Sequence, residues 1–214
     1  MVVAAGVLIS GAGTNLQAIL DRIAVGRLAC TLRVVISNRP GVPGLGRAER
    51  AGVPTRVIDH RRFAGREEFE RAILTALREA EVELVLLAGF DRLITRTLIE
   101  AFPLRIMNIH PALLPAFRGL QAQAAARAYG VKIAGATVHF VDEQADHGPI
   151  ILQGAIPIGP DDTEAEVRDR ILAVEHEIYP TAIQFFAEGR LEVEDRRVRV
   201  RGVPPPLPRP LISW

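Results

Sequence analysis

The first 26 residues, MVVAAGVLISGAGTNLQAILDRIAVG, set the strongest limit on how this chain can fold. Val2–Ser10 is an apolar run of strand length, SGAGTN supplies the glycines of a tight turn, and the apolar residues of LQAILDRIAVG recur at helical spacing. A strand that passes through a glycine turn into a helix is the opening unit of an α/β sheet. The first run carries no basic leader and enters the glycine turn directly, so it reads as a buried strand and not as a signal peptide.

The same alternation continues. TLRVVISN (31–38), PTRVID (54–59), VELVLLAGF and LRIMNI read as strands. Between them, LGRAERAG, REEFERAILTALREAE and ITRTLIEAF read as helices, the second with Phe69, Ile73, Leu74 and Leu77 on one face. Strands alternating with helices imply parallel pairing and right-handed crossovers. After His110 the pattern changes. QAQAAARAYG is helical, and KIAGATVHFVD and GPIILQGAIPI are β-rich neighbours. A long helix follows, opened by Asp162 or Thr163 and closed by Gly189, with Pro180 expected to break or kink it. RLEVEDRRVRVRG reads as a hairpin and VPPPLPRPLISW as a surface tail. The expected fold is therefore α/β: a Rossmann-like, mostly parallel twisted sheet flanked by helices, with a C-terminal hairpin. We expect one unit over 1–214, with 1–105 as a nucleotide-binding-like half, 106–189 completing a cleft, and 190–214 as hairpin and tail.

Composition narrows the function. The formal net charge of +1 gives no electrostatic case for nucleic acid. No apolar run reaches the length of a membrane span. Cys30 is the only cysteine, so an intrachain disulfide is ruled out, and a reducing cytoplasm is the expected compartment.

Three features carry chemistry. The first is SGAGTNLQ (10–17), where glycines let backbone N–H groups approach an anion at a helix N-terminus. Gly11 and Gly13 fit the dinucleotide fingerprint, but Leu16 stands where its third glycine belongs, and no P-loop lysine is present. A single phosphate on a small substrate fits better than a pyrophosphate. The second is MNIHPALLPAFRG (107–119), where Asn108 and His110 alternate along a strand end and project toward the carboxyl end of the sheet. An amide N–H can stabilise an oxyanion, and an imidazole can move a proton near neutral pH. The competing reading is a histidine satisfied in a turn and an asparagine capping backbone, and the residues alone weigh the two equally. The third is VDEQADHGPII, where Asp142, Glu143 or Asp146 is a candidate to orient the imidazole. His139, in mid-strand, reads as a core histidine. The histidines and carboxylates have no close metal spacing, so no metal is expected.

Six segments in order, LISGAGTNLQAIL, VVISNRPG, LAGFDRLI, NIHPALLPAFRGL, GATVHFVDEQADHGPIILQ and VEHEIYP, resemble the phosphoribosylglycinamide formyltransferase family. The resemblance covers the chain from Val7 to about Gly189. It implies transfer of a formyl group from 10-formyltetrahydrofolate, a co-substrate, to the amine of phosphoribosylglycinamide in purine synthesis. It also implies that Asn108, His110 and Asp146 are catalytic, that Gly13, Thr14 and Asn15 bind the substrate phosphate, and that Glu175 contacts the ribose hydroxyls. One folate wall falls on Arg92, Leu93 and Ile94. The other falls on Val141, Asp142, Glu143, Gln144, Ala145 and Asp146. The implied partners are these small molecules, and the chain is expected to be a monomer or homodimer.

Three positions depart from the family: Asp91 where an apolar residue is usual, Arg118 in place of proline, and Gln121 in place of histidine. Of these, Asp91 is expected to bear on folate affinity. The nearest alternative function is 10-formyltetrahydrofolate deformylase, which uses water as acceptor. Against it, the chain opens directly at its first strand, and VEHEIYP and GTNLQ favour the phosphoribosyl substrate. A non-catalytic folate or sugar-phosphate binding protein is the alternative of another class.

Overall fold

The computed structural model describes residues 1–203, so the Pro-rich tail from Pro204 onward lies outside the described residues. Among the described residues, β1 (Val3–Ile9), β2 (Cys30–Ser37), β3 (Thr55–Val57), β4 (Leu84–Leu87) and β5 (Ile106–His110) make the first part of one sheet. Its second part is β6 (Ile133–Phe140), β7 (Ile150–Pro157), β8 (Leu191–Glu194) and β9 (Arg197–Val200). The helices are α1 (Thr14–Ala24), α2 (Pro43–Arg50), α3 (Arg66–Glu79), α4 (Arg96–Ala101), α5 (Ala122–Tyr129) and α6 (Glu164–Ala187).

The strand order is β3-β2-β1-β4-β5-β6-β7-β9-β8. Pairing is parallel from β3 through β5, as the alternating pattern requires, and antiparallel at β5–β6 and β6–β7. The expected hairpin is present as antiparallel β8–β9. Because β2 lies on one side of β1 and β4 on the other, the chain reverses direction across the sheet at β1. A crevice opens outside the strand ends at such a switch point.

Side-chain alternation divides the core between the two faces of the sheet. Val7 and Ile9 of β1 pack with Leu16 and Ile19 of α1 and with Tyr179 and Ile183 of α6. Leu8 joins Val34 and Ile36 of β2 against Phe69, Ile73 and Leu77 of α3 on the other face. Both faces of the parallel strands are covered, which is why VELVLLAGF reads as a continuous apolar run.

α6 corrects one expectation. It runs through Pro180 without a break. Proline removes one helical hydrogen bond, but Tyr179, Pro180, Ala182 and Ile183 are all buried, and packing of this kind carries most helix stability in a protein. The Tyr179 hydroxyl lies 3.1 Å from the Leu87 carbonyl and 3.0 Å from that of Met107, tying α6 across β4 and β5. Of the two candidate caps, Thr163 opens the helix in a reciprocal capping box with Glu166. Asp162 instead accepts from the Gly159 N–H and from Arg170.

Candidate active site

The glycine turn after β1 places Gly13 at the N-cap of α1, with φ of 70°. A Cβ there would lie 2.7 Å from the Gly44 Cα, so both the left-handed backbone and the close approach of α2 require glycine. The first turn of α1 has no side-chain cap and no acidic residue, so its N–H groups and the positive end of the helix dipole face outward together. Thr14 and Asn15 are the first two residues of this turn.

The structure assigns the Asn15 side chain a specific neighbour. Its Nδ2 donates to Glu175 Oε2 at 2.7 Å, a buried contact between α1 and α6. Its Oδ1 is buried without a hydrogen-bond partner among the described residues. Burial pushes the Glu175 carboxyl up to about 7, against the stabilising hydrogen bond from Asn15. The Asn15 side chain thus belongs with Glu175, and only its backbone N–H is left at the open first turn of α1.

Asn108 and His110 lie on β5, two residues apart and on the same face of the strand, and Asp146 comes from the loop between β6 and β7. The three converge. Asn108 Nδ2 donates to Asp146 Oδ1 at 3.3 Å, and His110 Nδ1 stands 3.3 Å from Asp146 Oδ2. His110 Nε2 lies 2.9 Å from the Phe117 carbonyl oxygen. That carbonyl only accepts and the carboxylate accepts, so the contacts are fully met by a ring carrying a proton on each nitrogen. Asp142 and Glu143 do not reach the imidazole. Asp142 pairs with His147 at 2.7 Å and Glu143 with Arg96 at 2.9 Å.

Asp146 sits at φ of 48°, in the left-handed region that side chains rarely adopt. The Gly119 N–H donates to its Oδ2 at 2.9 Å. Burial opposes ionisation of Asp146. The Gly119 N–H and the charge of His110 outweigh it and hold the carboxyl below the ordinary carboxylate range.

His139 is the residue that sequence reading missed. It is buried in β6, opposite Asn108 in the β5–β6 register. Its Nδ1 stands 2.7 Å from the Phe140 carbonyl oxygen, so Nδ1 carries the proton and Nε2 accepts from Asn108 Nδ2 at 3.2 Å. His139 therefore fixes which way the Asn108 amide faces. Only the strand register brings the two together, and a single strand's alternation does not reveal its partner.

These groups form the floor of a cleft of about 540 Å³, within the range of small-molecule sites. One wall is Arg92, Leu93 and Ile94 and the other is Val141 through Asp146. Gln121 also lines it, as the left-handed residue before α5, while Arg118 is exposed. Burial pushes the Cys30 thiol up to about 12, which leaves it no role as a nucleophile. Among the described residues no cluster of three metal-ligating side chains occurs, and no helix is long and apolar enough to cross a membrane.

A crevice at the carboxyl ends of parallel strands, floored by an amide, an imidazole and a carboxylate, has the groups to stabilise an oxyanion and to move a proton. The family model described as formyl transferase matches residues 4–183, and the chain belongs to that family. It is 40% identical to the phosphoribosylglycinamide formyltransferase of Haemophilus influenzae, over 92% of each chain. It is 44% identical to the trifunctional purine biosynthetic protein adenosine-3 of Homo sapiens over 87% of this chain, and it spans 18% of that protein's length. The crystal structure of glycinamide ribonucleotide transformylase 1 from Symbiobacterium toebii superposes with a TM-score of 0.91 at 54% identity, covering 92% of this chain and 93% of that one.

Proposed function

We propose that this chain transfers a formyl group from 10-formyltetrahydrofolate to the amine of phosphoribosylglycinamide, a step of purine synthesis. The observation that carries the reading is the convergence of Asn108, His110 and Asp146 on the cleft floor. The names and overlap of the relatives support it. The site residues take the roles expected from the sequence. The N–H groups of Gly13, Thr14 and Asn15 hold the phosphate. Glu175 and the unpartnered Oδ1 of Asn15 accept from the ribose hydroxyls. The walls Arg92–Ile94 and Val141–Asp146 hold the folate. The whole chain works as one unit, with the phosphate half and the folate half meeting at the switch point.

The substrate amine attacks the formyl carbon, forming a C–N bond and a tetrahedral oxyanion. Asn108, turning an Nδ2 hydrogen away from Asp146 Oδ1, and the doubly protonated His110 stabilise that oxyanion. His110 offers Nε2 by releasing the Phe117 carbonyl, while Asp146 stays on Nδ1 and compensates the ring's charge. Collapse breaks the bond to the folate nitrogen, which takes up a proton as the attacking amine loses one. Asp146 orders the water that relays it. Holding both substrates in one cleft makes the encounter effectively intramolecular.

The test follows folate absorbance with each substrate omitted in turn, alongside formate release. Turnover is expected only with both substrates present. Rapid formate release that ignores phosphoribosylglycinamide would assign a hydrolase instead. His110→Ala is expected to lower kcat by about 10³-fold, through loss of both proton and oxyanion functions, with binding of the phosphate substrate retained.

A further inference from the structure

Asp91 departs from the family pattern beside the folate wall, and its carboxylate has a place in the structure that the proposed chemistry does not use. It points neither at a base nor at a catalytic group. Its Oδ1 accepts from Ser10 Oγ at 2.9 Å and from Asn38 Nδ2 at 2.9 Å, and its Oδ2 accepts from Arg39. Arg92 Nε adds a fourth donor at 3.2 Å. The Asp91 backbone N–H donates back to Ser10 Oγ at 2.9 Å, and the Ser10 N–H donates to the Gly89 carbonyl at 3.0 Å.

These donors come from separate elements. Ser10 ends β1 immediately before the glycine turn, and Asn38 and Arg39 follow the end of β2. Ser10 and Asn38 are buried. Asp91 therefore crosses the switch point and joins the segment after β4 to the ends of β1 and β2. The other end of that segment is fixed independently. The buried Glu70 of α3 accepts from the Thr95 N–H at 2.7 Å and from its hydroxyl at 2.5 Å. Arg92, Leu93 and Ile94 hang between two carboxylate anchors.

We infer that Asp91 is a positioning residue that moors the Arg92–Ile94 wall of the cleft to the ends of β1 and β2, and so sets the affinity of that cleft for folate. An apolar residue at this position leaves Asn38 Nδ2 and Ser10 Oγ without their acceptor and frees the wall at one end. Burial alone would raise the Asp91 carboxyl. Hydrogen bonds from Asn38, Ser10 and Arg92 and the charge of Arg39 overcome it, so the anchor stays ionised. The affinity part of this inference rests on the folate reading of the cleft, and the mooring part does not.

Two measurements on the full chain test it, using Asp91→Leu and the near-isosteric Asp91→Asn. Amide hydrogen exchange at Arg92–Ile94 is expected to quicken by about 10-fold in Asp91→Leu and by less in Asp91→Asn, with α6 unchanged. Calorimetric Kd for tetrahydrofolate is expected to rise by about 10-fold in Asp91→Leu, the scale of one lost charge-assisted hydrogen bond. In the same variant, KM for phosphoribosylglycinamide should rise much less than the folate Kd, because Ser10, the link from Asp91 to the glycine turn, is also held by the Gly89 carbonyl. Wild-type exchange and wild-type Kd in both variants overturn the inference. So does exchange that quickens evenly across the sheet while both substrates lose affinity together, which is the mark of a merely structural role. A wild-type chain that binds no tetrahydrofolate overturns the folate reading, and the exchange comparison alone then decides the mooring.

Discussion

Asp146 and Glu175 are both carboxylates withdrawn from solvent at the site, and they are held in opposite conditions. Asp146, on a loop, meets Asn108, His110 and the Gly119 N–H, and its carboxyl is held low. Glu175, inside α6, meets the Asn15 amide alone, and burial lifts its carboxyl to about 7. Burial acts against charge in both. The number and charge of the donors decide the outcome. The carboxylate held low sits beside the His110 ring, and the readily protonated one sits beside a neutral amide.

The comparison breaks most visibly at Asp146. Asp146→Asn keeps the shape but withdraws the charge that complements His110. We expect kcat to fall by about 10³-fold, comparable to other losses of acid–base function, with KM for phosphoribosylglycinamide nearly unchanged, as steady-state kinetics will register. The variant should also alter the acid limb of stability. The folded-state pKa of Asp146 is depressed, so its contribution is present above the ordinary carboxylate value and is lost as pH falls through the folded value. Thermal melts below pH 4 should therefore be flatter with pH in the variant. An unchanged kcat would remove Asp146 from the mechanism.

Glu175→Gln gives the opposite signature. The folded-state pKa is raised from 4.5 to about 7, so the contribution to stability is complete below about 4.5 and is lost as pH rises through about 7. The wild-type chain should lose about 3 kcal/mol from this group across that window, at 1.36 kcal/mol per unit. Glutamine does not titrate. The Tm of Glu175→Gln relative to wild type should therefore climb between pH 5 and pH 8. KM for phosphoribosylglycinamide should rise about 10-fold, as expected when a hydrogen bond to a charged group is weakened, while kcat holds. If the relative Tm stays level from pH 5 to pH 8, Glu175 is not the desolvated acid described here.

The two carboxylates also differ in how far sequence reveals them. The strand, glycine turn and helix at the N-terminus were legible because spacing and glycine chemistry are local. The five parallel strands were legible because a crossover leaves a helix between strands. Asn108 and His110 were legible as a pair because alternation on one strand puts them on one face. Which of Asp142, Glu143 and Asp146 meets His110 was not legible from the residues alone, since a loop's path depends on the left-handed backbone at Asp146 and on Gly148. A Cβ at Gly148 would come within 1.9 Å of the Phe140 carbonyl oxygen. His139 was read as core for the same reason: its partner across β5–β6 is set by register, which no single segment encodes. Pro180 was expected to interrupt α6 because the local rule is sound, and burial on the sheet overrode it. The mooring at Asp91 joins elements about 80 positions apart in sequence, and only tertiary structure places Ser10 beside it.

Loop and helix differ in support as well as in charge, and Arg196 sharpens that contrast with the smallest effect. It lies at the turn of the β8–β9 hairpin, and its Nη2 donates to the His147 carbonyl at 2.6 Å. Its Nη1 lies 3.0 Å from His147 Nε2, and His147 Nδ1 in turn lies 2.7 Å from Asp142 Oδ2. The hairpin thus braces the loop that carries Asp146, a support that Glu175 obtains from α6 itself. These contacts are exposed, and exposed polar pairs contribute little. Arg196→Ala is expected to raise KM for the folate by about 2- to 3-fold, since a brace worth well under 1 kcal/mol corresponds to a few-fold change. Tm should fall by no more than about 3 °C, and KM for phosphoribosylglycinamide should not move, because Glu175 and the glycine turn lie on elements the hairpin does not brace. A shift in both KM values would mean that the hairpin stabilises the whole sheet and not the Asp146 loop in particular.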